Sequence, residues 1–154
     1  MRQVFEIVPA SGSAIQFFAL ILAIPLAMVV LFAFFWYSMR HTTFEVSADG
    51  IRIRGDVYGR TIPLDQLRLE KAKVYNMAED AEHGLSWRTN GVGMPGYSSG
   101  WFRLKNGEKA LVFLTARNRV LYVPTSEDYA LVVSPKDSDA LLQALREAKG
   151  GAAR

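Results

Sequence analysis

Twenty-five consecutive residues without a charge, Ala14 to Ser38 (AIQFFALILAIPLAMVVLFAFFWYS), constrain this chain more than any other stretch. Gln16 is their one strongly polar member. About 20 apolar residues suffice to cross the hydrocarbon core of a bilayer. A segment apolar all round also lacks the polar stripe that a soluble core helix or an interfacial helix would show. The stretch therefore predicts a transmembrane helix over residues 14–39. A secretory signal peptide needs a basic n-region and small side chains at a cleavage point. Here only Arg2 and Glu6 are charged before the span, and the run closes on Phe34-Phe35-Trp36-Tyr37, so cleavage is not expected. Pro25 removes one backbone hydrogen bond in mid-span, which transmembrane helices accommodate. Trp36, Tyr37 and Arg40 fall where interfacial anchors belong. Arg2 stands alone before the span, whereas Arg40, Arg52 and Arg54 follow it, and this bias predicts that the rest of the chain faces the cytoplasm.

One span in 154 residues leaves roughly 110 for a single further domain, enough for one core. The net charge of +3 lies wholly beyond the span, because Arg2 and Glu6 cancel. A mildly basic domain tethered to a membrane suits anionic headgroups, and the same excess also serves ordinary solubility. Cysteine is absent, which removes disulfide and thiol chemistry without choosing a compartment.

Residues 1–13 carry Pro9 and Ser11-Gly12-Ser13 as breakers and predict no fold of their own. Beyond Arg40 the period of the pattern becomes two. Thr43 to Ser47 and Ile51 to Arg54 alternate apolar with polar around Asp49-Gly50 and predict a hairpin. Gly55 to Leu64 predicts a third short strand ended by Pro63, Leu64 to Leu67 one helical turn, and Lys71 to Met77 a further strand. Ala78 to Gly84 (AEDAEHG) reads as a charged, solvated loop. Trp101 to Lys105 and Lys109 to Thr115 flank Asn106-Gly107, a strong hairpin signal, with Lys105 and Glu108 placed to pair across it. Turns at Arg117-Asn118 and Ser126-Glu127-Asp128 then predict strands at Val120 to Val123 and Tyr129 to Val133, an antiparallel meander of four. Ser134 as N-cap, Pro135 at the first helical position and Asp137 predict a helix over 135–149. Its apolar stripe is Leu141, Leu142, Leu145 and Ala148, and Gly150-Gly151 is expected to end it before a tail at 150–154.

Several of these words resemble a family of bacterial pleckstrin-homology-like (PH-like) domains: Arg88-Thr89-Asn90-Gly91, Met94-Pro95-Gly96-Tyr97, Gly100 to Leu104, Asn106 to Ala110 and Tyr129 to Ser134. Asp49 to Ile53, and Tyr58-Gly59-Arg60 before Ile62-Pro63, extend the likeness over most of Phe44 to Ala148. The resemblance implies a mainly-β domain over 43–149 of two near-orthogonal antiparallel sheets, about seven strands closing into a small barrel-like shell, capped by the C-terminal helix. It implies a binding fold in a small protein of the bacterial inner membrane, and no enzyme.

Gly91-Val92-Gly93-Met94-Pro95-Gly96 matches GxGxxG, but Pro95 interrupts it and a strand, not a helix, follows, so a dinucleotide site is not expected. The stretch reads instead as a glycine-rich binding loop. It presents a candidate surface of Arg88, Asn90, Tyr97, Trp101 and Arg103. Strand alternation puts Trp101 and Arg103 on one face and Phe102 and Leu104 on the other. Trp101 then either points outward to a partner or lies in a minor core. Arg52, Arg54 and Arg60 form a second basic group and are candidate lipid contacts. Eukaryotic PH domains bind inositol phosphates through basic residues near the first hairpin, and Arg52-x-Arg54 is similar to part of that pattern. His41 and His83 stand in no metal-ligand spacing, and no nucleophile, acid and base converge. No catalytic residue, metal, cofactor or nucleic-acid partner is expected. The partners expected are the bilayer and an unidentified protein or a second copy of the chain, with anionic lipid headgroups as the alternative.

Overall fold

The computed structural model describes Gln3 and residues 12–152. The expectations that rest on Arg2, Glu6, Pro9 and Ser11, and the end of the tail at 153–154, lie outside the described residues. The chain divides into two units, Met1–Tyr37 and Ser38–Arg154.

In the first unit the uncharged stretch is a helix. Helix α1 runs Gly12–His41, so Gly12 and Ser13, expected as breakers, form its first residues. Its 30 residues reach about 45 Å, longer than the roughly 30 Å hydrocarbon core. From Ile15 to His41 it is apolar enough to cross a bilayer, with a mean hydropathy of 2.8. Large side chains such as Phe18 and Leu22 stand exposed along it and call for an apolar surrounding. Pro25 lies inside the helix without ending it.

The second unit holds nine strands and a closing helix. Strands β1 (Thr43–Ser47), β2 (Gly50–Arg54) and β3 (Thr61–Pro63) form a three-stranded antiparallel sheet. The other six are β4 (Lys73–Tyr75), β5 (Leu85–Met94), β6 (Tyr97–Leu104), β7 (Lys109–Leu114), β8 (Val120–Pro124) and β9 (Ala130–Val133). They form a second sheet in the order β4-β8-β9-β7-β6-β5. Helix α2 covers Ser138–Ala152.

The expected four-strand meander is corrected at one place. The β7 to β8 connection leaves a gap one strand wide, and β9 fills it, antiparallel to β8 and parallel to β7. Strand β9 reads Ala-Leu-Val-Val, with every residue buried and no polar alternation. Such a strand is satisfied at the centre of a sheet covered on both faces, not at an edge.

Both faces are covered. On one, Leu111, Phe113, Leu121, Val123, Leu131 and Val133 meet Ile51, Ile53 and Ile62 of the small sheet, together with Leu142 and Leu145 of α2. On the other, Ala110, Val112, Val120, Tyr122 and Val132 pack with Phe102, Leu104 and Met77. Because β4 and β5 are opposite edges of the large sheet, residues 76–84 must pass from one edge to the other. The Met77 amide donates to Arg117 (2.8 Å), and Glu82 and Gly84 accept from the amides of Asn106 and Lys105 (2.9 Å each). The expected solvated loop is therefore a strap. Tyr75 of one edge and Leu85 of the other pack into the same cluster, so the sheet curls around it. No ladder joins β4 to β5 among the described residues, and the barrel-like closure expected from sequence is absent: both sheets stay open.

Two local expectations also change. Gly91 to Gly96 is not a loop: Gly91 to Met94 belong to β5, and Pro95-Gly96 alone make the turn, with Met94 opposite Tyr97. Gly96 sits at φ 75°, the conformation that follows proline in a type II turn. Helix α2 starts later than predicted, because the Ser134 hydroxyl accepts from the amides of Thr115 (2.8 Å) and Ala116 (3.2 Å) and so is committed to the end of β7. Asp137 caps instead, accepting from the Ala140 amide at 2.9 Å. The helix runs on through Gly150 and Gly151.

Gly100 stands opposite Gly91 at φ 109°, and a Cβ there would lie 2.6 Å from both the Asn90 oxygen and the Gly91 Cα. A Cβ at Gly96 would meet nothing within 4 Å. Gly96→Ala is expected to cost about 1 kcal/mol of backbone strain, and Gly100→Ala about 3 kcal/mol from strain and collision together. Thermal melts of the detergent-solubilised chain, followed by near-UV circular dichroism, should show the larger drop for Gly100→Ala; equal drops would contradict the close backbone approach.

Candidate functional site

Register decides which of the predicted surface residues meet. Trp87 pairs with Arg103 and Asn90 pairs with Trp101, so these four are cross-strand neighbours on the β5–β6 hairpin. Their side chains project toward the face that carries Leu111 and Phe113. Trp101 is accordingly half-buried. It packs against the core edge with Tyr129 at 5.1 Å and 82° to its ring, an edge-to-face contact. The Lys109 ammonium lies 4.3 Å from its centroid and the Arg60 guanidinium 5.0 Å, so cations hold the indole by cation–π attraction. Thr89 donates to the Trp101 carbonyl at 3.0 Å, and Arg103 reaches the Gly107 carbonyl at 2.7 Å. Burial pushes the Tyr129 phenol up, with Arg60 opposing the shift.

Trp87, which sequence reasoning left out, is 63% exposed. It sits on β5, an edge strand whose residues from Ser86 to Asn90 are all exposed. From Leu85 to Gly107 the chain carries Arg88, Arg103 and Lys105 and no acid, a signal that could have marked this hairpin in advance. The face continues into a polar depression of about 510 Å³ lined by residues that include Arg68, Arg103, Lys109, Glu127 and Asp128. Such an array can engage a surface of mixed charge by hydrogen bonds and aromatic stacking.

Other candidates are placed elsewhere. Arg88 is opposite Phe102, so it points to the reverse face of the hairpin. Tyr97 is buried, not displayed: its hydroxyl donates to the Asp56 carboxylate and lies 3.2 Å from the Ser38 hydroxyl. Burial first, then the bond to Asp56, pushes its phenol up. Arg52 and Arg54 share the exposed face of β2, where Arg54 pairs with Glu45 at 3.3 Å. Arg60 leaves them for Trp101, so the three do not form one basic cluster. Trp36 and Tyr37 lie on the exposed last turns of the apolar helix, and Arg40 follows in the second unit. Glu108 is held by the Tyr122 hydroxyl (2.7 Å) and not by Lys105.

The model of the bacterial PH domain family matches residues 42–149, more than half of the chain. The chain belongs to the bacterial PH domain family. No curated protein matches it, and no solved structure does. In this bacterial PH domain the first hairpin is short and its arginines, Arg52 and Arg54, lie on the exposed face of β2. The denser grouping of cations and aromatic rings centres on Trp101 of β6.

One polar cluster lies outside that face. Asp80 on the strap accepts from Lys73 (2.8 Å) and from the amides of His83 (2.8 Å) and Glu82 (3.0 Å), with the His83 Nδ1 at 2.9 Å. Burial pushes its carboxyl up, but these hydrogen bonds outweigh it and hold the group well below the usual carboxylate range. The His83 ring also stacks edge-on to Tyr122 at 4.7 Å, and burial, reinforced by Asp80, pushes the Tyr75 phenol up. Among the described residues no group of three or more His, Cys, Asp or Glu is placed to hold a metal. Cluster and strap together keep the second core covered.

A folded value below the ordinary one means that Asp80 contributes stability above its ordinary value near 3.8, lost as pH falls through the lower folded value. Asp80→Asn is expected to lower the melting temperature by about 5 °C at neutral pH, since hydrogen bonds to a charged group are worth roughly 1.5–3 kcal/mol. The gap to the wild-type chain should narrow on acidification; a gap independent of pH would show that the charge contributes nothing.

Proposed function

We propose that this chain is a membrane-anchored, non-catalytic binding module, and that Trp87, Trp101, Arg103, Arg60 and Lys109 form the face that takes a partner protein at the cytoplasmic surface of the membrane. The observation that carries the reading is the exposed Trp87 beside a cation-flanked Trp101 on a hairpin without acids. Tryptophan and arginine are the side chains that dominate protein interfaces, and large exposed aromatic groups beside polar neighbours mark such surfaces. A neighbouring depression that mixes both charge signs suits a folded or extended protein segment better than a uniform sheet of anionic headgroups. The basic face of β2 supports the headgroup alternative less, because Glu45 already offsets Arg54.

A photo-crosslinking residue in place of Trp87, in the full chain within its membrane, should give a discrete protein adduct that the same residue at Glu147, on an exposed part of α2, does not. Arg103→Glu should reduce the adduct roughly tenfold, in line with the cost of reversing a charge at an interface. An adduct at twice the mass of the chain would identify the partner as a second copy. Lipid adducts alone at position 87, or equal protein adducts at 87 and 147, would count against the proposal.

A further inference from the structure

A second cavity, of about 420 Å³, lies in the second unit at the far end of β6 from Arg103. Six residues separate Tyr97, on its wall, from Arg103, about 20 Å along a strand. Its apolar lining comes from Met39, Phe44, Phe113 and Pro135, and its lining cations are the exposed Arg40 and Lys136; no lining residue is acidic. The volume falls within the range of small-ligand sites, roughly 300–1,000 Å³. Met39 and Arg40 follow Tyr37, the last residue of the first unit, by two and three positions. Met39 and Arg40 are themselves residues of the last turn of helix α1.

A cavity that is apolar on one part of its wall, with hydroxyls of Thr42, Thr115 and Ser134 and two cations on the rest, joined covalently to the end of a span, suits a hydrocarbon chain attached to an anionic head. We propose that the cavity takes one acyl chain of an anionic phospholipid from the bilayer that α1 crosses, with the phosphate against Arg40 and Lys136. This site is separate from the Trp87 face and involves none of its residues. It is also separate from Arg52 and Arg54, because the lipid is recognised by its chain as well as its charge.

The test uses the full chain in phosphatidylcholine nanodiscs containing a minor fraction of phosphatidylglycerol with a diazirine at the end of one acyl chain. Illumination should place adducts on Met39, Phe44 or Phe113 as well as on the span. The same diazirine carried on phosphatidylcholine should label those three residues less. Lys136→Ala should lower their labelling about fivefold, the effect of one cation near an anionic surface. Thr43→Trp, an exposed lining position, should fill the space and remove it. Adducts confined to residues 14–37, or equal labelling by the two lipids in the wild-type chain, would overturn the proposal whatever the variants do. Crosslinking from position 87 should be the same in Lys136→Ala and wild type, so the two sites fail or succeed separately.

Discussion

The two-sided burial of β7, β8 and β9 governs the rest of the second unit. These strands read KALVFL, VLYVP and ALVV, and 13 of their 15 residues are buried, all but Lys109 and Pro124, so neither face of this part of the large sheet can meet water. An antiparallel sheet commonly leaves one face solvated. This one cannot, and it needs two covers. The small sheet with α2 supplies the first. The second is improvised from the strap at 76–84 and the inward side of the β5–β6 hairpin, which is why a segment of charged composition lies across a hydrophobic cluster.

That division of labour decides what is left for recognition. Phe102 and Leu104 are used to cover the second cluster, and Leu111 and Phe113 are covered by the small sheet, so the open part of the fold is the strip beyond both covers. Trp101 lies on the boundary, half in the core and half under Arg60 and Lys109, while Trp87 one strand further out stands mostly exposed. The glycines of GVGMPG serve the same geometry. Gly91 lets β5 lie against Gly100 of β6, where a side chain on either would collide with backbone. The glycine spacing thus has a sheet-packing cause, and nothing in it needs a phosphate.

Local patterns were the legible part of the sequence. The apolar span, the Asn106-Gly107 hairpin and the Leu141, Leu142, Leu145 and Ala148 stripe each follow from short-range periodicity and turn chemistry. What the sequence hid was the consequence of long-range pairing. Strand order cannot be read from strand succession, so the insertion of β9 between β7 and β8 was missed, and with it the parallel pair. Ser134 looked like a helix cap because its use by the Thr115 and Ala116 amides depends on β7 and β9 being neighbours. Asp80 looked solvated because Lys73, seven residues away, reaches it only once the strap has folded back. At the candidate face, alternation placed Trp101 and Arg103 together correctly, yet it could not show that Arg60 would join them, that Tyr97 would be buried, or that Trp87 would be bare.

Tyr97 links these observations. A tyrosine in an aromatic, glycine-rich segment suggests an exposed contact, but its hydroxyl is spent on Asp56 and sits beside Ser38, whose own hydroxyl donates to the Gly55 carbonyl at 2.7 Å. Hydrogen bonds to a charged carboxylate contribute more than those between neutral groups. The first residue of the second unit is therefore fastened to the first residue of β6, and β6 runs on to Trp101 and Arg103. Seating Trp101 and Arg103 on a strand fixed at its start by Ser38 and Asp56, and paired on both sides by β5 and β7, holds them in register, while Arg60 joins them from the segment between β2 and β3. A face built this way is preorganised, so a partner of the proposed kind would lose little to ordering the domain, and affinity would be set by the contacts at Trp87 and Arg103.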